Sequence, residues 1–167
     1  MKDFYQSLGY LILGSRLRRL SEYYLSEINQ VYAKKGIKFD ASWFPVFYLL
    51  SQHQPINILE LSETMQISHS AASQLITVLK KNELVKAHKN KDDGRKQEIT
   101  LTAIGAELLV TLTPIWERIS NTMSQLIDTN PESKAFLNAL TSVEQQIQSK
   151  SLSERILIDK AKPNEQV

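Results

Sequence analysis

The sequence predicts a mainly α-helical protein that carries one small β-hairpin. Three observations lead to this prediction: apolar residues recur at helical spacing through most of the 167 residues, one short stretch alternates instead, and a turn-rich segment interrupts that stretch. With 42% hydrophobic and 23% charged residues, the composition is that of a folded domain rather than a disordered chain. We therefore expect a single domain over residues 1–167.

The N-terminal part begins with two predicted helices. Apolar residues at helical spacing and the stop signal Gly36 predict a long helix over residues 4–33. Asp40 or Ser42 is suited to cap a second helix over residues 42–52, which is apolar nearly all round. A helix with that pattern is expected to be buried on most of its sides.

Two shorter helices come next. Asn57 with Glu60 three residues later resembles a capping box and predicts a helix that ends near residue 65. Ser68 is suited to cap the following helix, which extends to about residue 82. Two short helices joined by a turn of three or four residues form a candidate helix-turn-helix.

The pattern then changes to that of a β-hairpin. Residues 84–89 and 97–101 have the pattern of short strands, and the polar segment between them contains Asp93-Gly94, a strong hairpin signal. A hairpin placed directly after a helix-turn-helix is a wing. The expected fold is therefore a winged helix-turn-helix, followed by further long helices.

These further helices complete the predicted chain. A long one is predicted over about 103–128, and a second one contains the apolar residues from Phe136 to Ile147. A last segment around Leu152 to Ile158 extends or breaks from it.

The terminal helices carry more apolar residues than one small winged lobe can cover. We therefore expect a twofold homodimer built from residues 4–20 and about 110–158 of both chains. In this division, residues 40–103 form the winged helix-turn-helix lobe, and residues 1–36 and 104–160 form a helical dimerisation region. The alternative is a helical bundle within one chain.

Composition and spacing exclude several kinds of chemistry. The chain has no cysteine, which excludes disulfides, thiolate-bound metals and thiol-based oxidant sensing. His53, His69 and His88 lie far apart, and the sequence has no HExxH motif, nucleophile elbow or glycine-rich phosphate loop. We therefore predict no enzymatic activity, no cofactor and no metal site.

The sequence also predicts where the protein resides. Its longest apolar runs, such as Trp43–Leu50, are far shorter than the ~20 residues that a bilayer requires. The N-terminus has no apolar signal core followed by a cleavage site. A cytoplasmic protein without membrane contact is expected.

Positive charge is concentrated in one short stretch. Residues 80–96 contain seven basic and three acidic residues, a net charge of +4, whereas the rest of the chain has 13 basic and 15 acidic ones, a net charge of −2. A basic stretch on a slightly acidic body is typical of a nucleic-acid binder. The alternative is that these charges only keep a loop solvated.

The second helix of the helix-turn-helix presents a polar face. Four short polar side chains recur at i, i+3, i+4 and i+7, on one side of the helix: Ser70, Ser73, Gln74 and Thr77. Glutamine can contact adenine with two hydrogen bonds, and serine or threonine can contact bases or phosphates. Ser68 and His69 stand at the helix N-terminus, where phosphate binding is favourable. This face is predicted to enter the major groove of duplex DNA.

From Ile58 to Gly105 the sequence resembles the winged helix-turn-helix of the MarR family, the multiple-antibiotic-resistance-type transcriptional regulators. The family pattern has a leucine followed by a hydrophobic residue, then Asp-x-Arg, then hydrophobic-x-Leu-Thr-x-x-Gly. The corresponding segments here are Leu84-Val85, Asp93-Gly94-Arg95 and Ile99-Thr100-Leu101-Thr102-Ala103-Ile104-Gly105. The long flanking helices match as well, so the resemblance covers most of the chain.

Two positions depart from the family pattern. Glu83 stands where the family usually has glycine, which bears on the turn after the recognition helix. Ala87 stands where the family usually has arginine, so anchoring to the DNA backbone is expected to shift to Lys86, His88 or Lys89.

The resemblance implies roles for the wing tip. Arg95 would reach into the adjacent minor groove, Asp93 would steady the tip, and the neighbouring lysines would neutralise phosphates and make binding salt-dependent. The full set of predicted DNA contacts is Ser68, His69, Ser70, Ser73, Gln74, Thr77, Lys80, Lys89, Lys91, Asp93, Arg95 and Lys96.

The resemblance also implies an effector. Family members often bind a small aromatic or anionic ligand between the dimer helices and the DNA-binding lobe. The candidate contacts here are Tyr10, Arg16, Trp43, Phe47, His53 and Trp116. Arg16 and His53 are suited to meet a ligand carboxylate, whereas the alternative for the aromatic residues is ordinary core packing.

A narrower likeness is to a MarR branch that is often fused to a GNAT-type acetyltransferase, through Leu8–Ser21 and Trp43-Phe44-Pro45. No acetyl-CoA loop is visible and 167 residues are too few for that second domain, so no such activity is carried over. We expect a ligand-responsive repressor that binds a palindromic operator on double-stranded DNA as a homodimer. The alternatives are a protein-interaction module with a winged-helix fold, and the regulatory partner of a separate acetyltransferase.

Overall fold

The computed structural model describes residues 4–89 and 97–158, and the chain divides into two compact units, residues 1–111 and 112–167. The described helices are α1 (Phe4–Ser7), α2 (Leu13–Lys34), α3 (Phe44–Gln52), α4 (Ile58–Met65), α5 (His69–Lys81), α6 (Ala103–Asp128), α7 (Phe136–Ser149) and α8 (Leu152–Leu157). The strands β1 (Ile56–Asn57), β2 (Val85–Lys89) and β3 (Gln97–Leu101) form an antiparallel sheet in the order β1-β3-β2. The predicted mainly α-helical fold with a small hairpin is confirmed. Over the described ranges, no helix is both long and apolar enough to cross a membrane.

The prediction of one unbroken helix over residues 4–33 is wrong at its N-terminal end. α1 ends at Ser7, Gly9–Ile12 form a 3₁₀ turn, and α2 begins only at Leu13. Gly9 has a φ of 54°, a left-handed conformation that a right-handed α-helix cannot contain. The apolar spacing continues across this break, and for that reason periodicity alone did not reveal it.

An aromatic cluster centred on Phe39 connects α2 to α3 in the first unit. The ring of Phe39 makes edge-to-face contacts with Tyr32, Trp43 and Phe47, at centroid distances of 5.4, 5.6 and 5.0 Å. Such pairs are favourable beyond the area they bury. The carboxylate of Asp40 accepts a hydrogen bond from the Ser42 backbone N–H at 2.8 Å and caps a 3₁₀ turn, Ala41–Trp43, that leads into α3. Neither Asp40 nor Ser42 caps α3 itself, because this helix begins two residues later than predicted, after Trp43.

The helix-turn-helix is formed by α4 and α5, and both predicted caps are confirmed. The side chain of Asn57 accepts a hydrogen bond from the Glu60 N–H at 2.9 Å, and the hydroxyl of Ser68 accepts one from the Ala71 N–H at 3.1 Å. Gln66, in the left-handed conformation, ends α4. The inner sides of the two helices supply buried residues to the core: Leu61, Ala72, Ile76 and Leu79.

A tight junction connects the end of α5 to the wing. Glu83 adopts a left-handed φ of 59°, and the N–H of Leu84 donates to the carbonyl oxygen of Leu79 at 3.0 Å. Leu84 and Val85 follow at once and are buried, which anchors the first residues of the wing in the core. Glu83 therefore makes the turn out of α5 in a conformation that glycine adopts most readily.

The start of α6 closes the same junction from the other side. The hydroxyl of Thr102 donates to the carbonyl oxygen of Glu83 at 2.6 Å and accepts the N–H of Gly105 at 3.0 Å. A Cβ atom on Gly105 would overlap the carbonyl oxygen of Leu84. Only glycine allows this close approach of the two backbones.

The second unit has few buried side chains. Among its described residues, 112–158, only Leu112 and Ile115 are buried, and α7 and α8 bury none. A capping box starts α8. The hydroxyl oxygen of Ser151 accepts a hydrogen bond from the Glu154 backbone N–H, and the carboxylate of Glu154 accepts one from the Ser151 backbone N–H. The hydrogen bonds from Ser151 lower the pKa of Glu154 from its ordinary value.

We expect the substitution Glu83→Gly to raise the free energy of unfolding by about 0.5–1 kcal/mol, because glycine adopts the left-handed conformation without a steric penalty. The matched control is Glu63→Gly in α4, which should lower the free energy of unfolding by about 1 kcal/mol. Urea denaturation of the three proteins measures both effects. Loss of stability in Glu83→Gly would contradict the conformation described here.

Candidate nucleic-acid interface

The polar face of α5, formed by Ser70, Ser73, Gln74 and Thr77, lies on the outside of the first unit. Ser70, Gln74 and Thr77 are exposed and Ser73 is half-buried, as the helical spacing predicts. The core contacts of the inner face fix the rotation of the helix about its axis. Ser68, His69 and Lys80 of the predicted set are exposed as well.

Most of the hydrogen-bonding groups on this face are available to a ligand. The side chains of Ser70, Ser73 and Gln74 make no hydrogen bond to any other described residue. Thr77 differs, because its hydroxyl donates to the carbonyl oxygen of Ser73 at 2.8 Å. The face therefore offers an unengaged amide and two unengaged hydroxyl groups to a partner.

Lys81 belongs to this surface, although the predicted set omitted it. It is exposed and lies eleven residues after Ser70, three helical turns along the same side of α5. Lys80 is also exposed but lies about 80° away from that line on the helix circumference. The sequence already places Lys81 on this face, because Gln74, Thr77 and Lys81 follow Ser70 at i+4, i+7 and i+11.

The wing strands place two basic positions on their outer side. Lys86 and His88 are exposed, and the register pairs them with Thr100 and Glu98 of β3. The Nε2 atom of His88 lies 3.1 Å from a carboxylate oxygen of Glu98, whereas Lys86 forms no ion pair with a described residue. Ala87 lies on the opposite side of the strand, half-buried. Of these two candidates for the predicted backbone contact, Lys86 is the one whose charge is not beside a carboxylate of a described residue.

The wing tip itself is not described. Lys89 is the last described residue of β2, and it pairs with Gln97 of β3. The predicted contacts Lys91, Asp93, Arg95 and Lys96 lie outside the described residues, so their roles stay predictions.

The candidate effector contacts of the first unit do not form one group. Trp43 and Phe47 both pack against Phe39, and Phe47 is completely buried. Tyr10, by contrast, is 93% exposed in the 3₁₀ turn before α2, and Arg16 is exposed within α2.

The remaining two effector candidates have different surroundings. His53 lies at the end of α3, with its Nε2 atom 3.5 Å from a carboxylate oxygen of Glu60. Trp116 is half-buried in α6, in the second unit. An effector role for these six residues stays a prediction.

A helix-turn-helix with an exposed polar second helix, followed directly by wing strands, defines the class of winged helix-turn-helix DNA-binding proteins. Residues 36–96 match the model of the MarR family. Over this segment the chain is similar to the MarR family, a family of DNA-binding transcriptional regulators.

Solved structures share the fold at low sequence identity. MepR from S. aureus, in its complex with DNA, superposes with a TM-score of 0.66 at 19% identity, over 78% of this chain and 96% of MepR. BpsR from Bordetella bronchiseptica, whose DNA binding is regulated by 6-hydroxynicotinic acid, gives 0.63 at 22% identity, over 79% and 91%. A mutant MarR from E. coli with operator DNA gives 0.65 at 16% identity, over 84% and 97%. Among curated proteins, none matches the sequence of this chain.

Proposed function

We propose that this chain represses transcription by binding double-stranded DNA as a homodimer, with the polar face of α5 in the major groove and the wing against the adjacent minor groove. The observation that carries the proposal is the polar face, on which the amide of Gln74 and the hydroxyl groups of Ser70 and Ser73 have no hydrogen-bond partner among the described residues. Lys80 and Lys81 at the end of the same helix are suited to neutralise phosphates. The complexes of MepR with DNA and of MarR with its operator support this placement by analogy of fold.

A twofold dimer would recognise an operator with matching twofold symmetry. One winged lobe reads only a few base pairs, whereas two recognition helices about 34 Å apart read a palindrome. The apolar face of α7 supports a second copy as the partner, because Phe136, Val143 and Ile147 are exposed on it and Leu140 is only half-buried. Residues 40–103 are then the DNA-binding lobe, and residues 1–36 and 104–160 form the dimerisation region.

Regulation by a small aromatic or anionic effector completes the proposal. The DNA binding of BpsR, a structural relative, is regulated by 6-hydroxynicotinic acid. The candidate contacts that are not buried are Tyr10, Arg16, Trp43, His53 and Trp116. We assign the chain no reaction of its own, and its binding to chromosomal DNA would place it in the cytoplasm.

Selection of bound duplexes from a random DNA pool, repeated at several salt concentrations, tests the proposal. We expect an enriched palindrome whose affinity falls as salt rises, because each phosphate contact releases counterions. Absence of an enriched palindrome, or binding that salt does not affect, would count against DNA binding and would favour the protein-interaction module.

The substitution Arg95→Ala should weaken operator binding by about 1–3 kcal/mol, because it removes the predicted minor-groove contact of the wing. Lys38→Ala is the charge-matched control, since it removes one exposed positive charge outside the predicted contacts. Fluorescence anisotropy with the selected operator measures both affinities. Equal affinities of Arg95→Ala and the control would show that the assignment of the wing is wrong.

Light scattering after size exclusion should give twice the 19.1 kDa of one chain at micromolar concentration. Val143→Asp should shift the protein toward the monomer, because it buries a charge in the proposed interface. Gln145→Asp is the control, two residues along and therefore on the opposite side of α7. A monomeric native protein would rule out the dimer.

A further inference from the structure

From Ser70 to Thr77, the polar face of α5 has no side chain that usually contacts guanine. From His69 to Lys81 the helix contains no arginine and no acidic residue, and its lysines stand in the last turn. Guanine is read most often by arginine or lysine, and cytosine by a carboxylate. Because base contacts come mainly from the residues nearer the N-terminus of a recognition helix, the lysines of the last turn, beyond Thr77, are placed for phosphates instead.

Gln74 has both groups that adenine requires. Its side chain is exposed near the middle of the face and makes no hydrogen bond within the described part of the chain. The amide can therefore accept from the N6 amino group of adenine and donate to N7 in one bidentate contact. No rearrangement of the protein is needed to release it.

Thr77 offers a methyl group rather than a hydrogen-bond donor. Its hydroxyl proton is engaged by the carbonyl oxygen of Ser73 at 2.8 Å, which leaves the methyl group and an acceptor oxygen for a partner. Ala71 and the 41%-exposed Val78, at i−3 and i+4 from Gln74, add apolar surface beside the amide. Methyl and small apolar groups are the usual partners of the thymine methyl group.

We propose that the polar face of α5 is specific for A·T base pairs: Gln74 contacts an adenine, and Thr77 contacts a thymine methyl group. This inference rests on the proposed DNA-binding function and adds the identity of the bases that are read. The free amide of Gln74 and the engaged hydroxyl of Thr77 lie within one turn of the same helix, which contains no arginine. The two side chains can therefore contact the same few base pairs.

The first test compares the operators selected by the full-length protein and by three variants. The native protein should enrich A·T pairs in each half-site, and Gln74→Ala should reduce the preference for one of them by about 5- to 150-fold. Gln74→Arg should change that same pair to G·C, because arginine contacts guanine. Gln30→Ala changes an exposed glutamine of α2 whose side chain donates to Glu27 and bonds to no other described residue, so it should leave every preference unchanged.

The second test isolates the methyl contact. Replacing operator thymines one at a time by uracil removes only the methyl group, and one such position per half-site should weaken binding by the native protein. Thr77→Val keeps a methyl group and should keep this sensitivity, whereas Thr77→Ser should lose it. Equilibrium anisotropy titrations with matched duplexes give the affinities.

The outcomes separate this inference from the proposed function. A palindrome in which the pair sensitive to Gln74 is G·C, or in which Gln74→Ala and uracil substitution change nothing, overturns the specificity for A·T while DNA binding stands. A random pool from which the native protein enriches no sequence overturns both. An A·T pair lost in Gln74→Ala, together with a uracil effect lost in Thr77→Ser, supports the inference.

Discussion

The hydrogen bond from the Thr102 hydroxyl to the carbonyl oxygen of Glu83 joins the start of α6 to the turn between α5 and β2. The placement of the helix-turn-helix and of the wing depends on this junction. At this point α5 has just ended, β2 is about to begin, and α6 has begun beside them. The direction of the recognition helix relative to the wing is set here, because the backbone at Leu84 lies against Gly105 with no room for a side chain. A left-handed glutamate at position 83 costs stability, and the turn persists because the contacts of Thr102 and Gly105 offset that cost.

The inner side of α5 decides which residues its outer side presents. Ala72, Ile76 and Leu79 are almost completely buried, and burial of a side chain such as Leu79 stabilises the fold by about 1.5–3 kcal/mol. Rotation of the helix by one residue, about 100°, would lose that burial and turn Gln74 away from the outer surface. The packing of the inner side therefore fixes which side chains of α5 are presented on the outer side.

Local signals made much of this architecture predictable, and non-local ones did not. Asn57 and Ser68 start their helices as capping chemistry predicts, since a cap acts over three residues of sequence. The central position of Phe39 depends on rings from three separate segments, and periodicity carries no information about it. The two residues of β1 acquire their strand character only from pairing with β3, which follows some forty residues later. At the interface, Lys81 was predictable from its spacing, whereas the unengaged state of Gln74 was not.

In the proposed function, affinity and specificity come from different parts of α5. Its polar face is uncharged from Ser70 to Thr77, and positive charge begins only at Lys80. Charge–phosphate attraction is screened by salt, whereas contacts between an amide or methyl group and a base edge are not. The overall affinity should therefore be set by ionic strength through the lysines and the wing, while the preferred sequence is set by shape and hydrogen bonding through Gln74 and its neighbours. An effector that changed the separation of two recognition helices in a dimer would alter affinity for the palindrome without changing the base pairs that each helix reads.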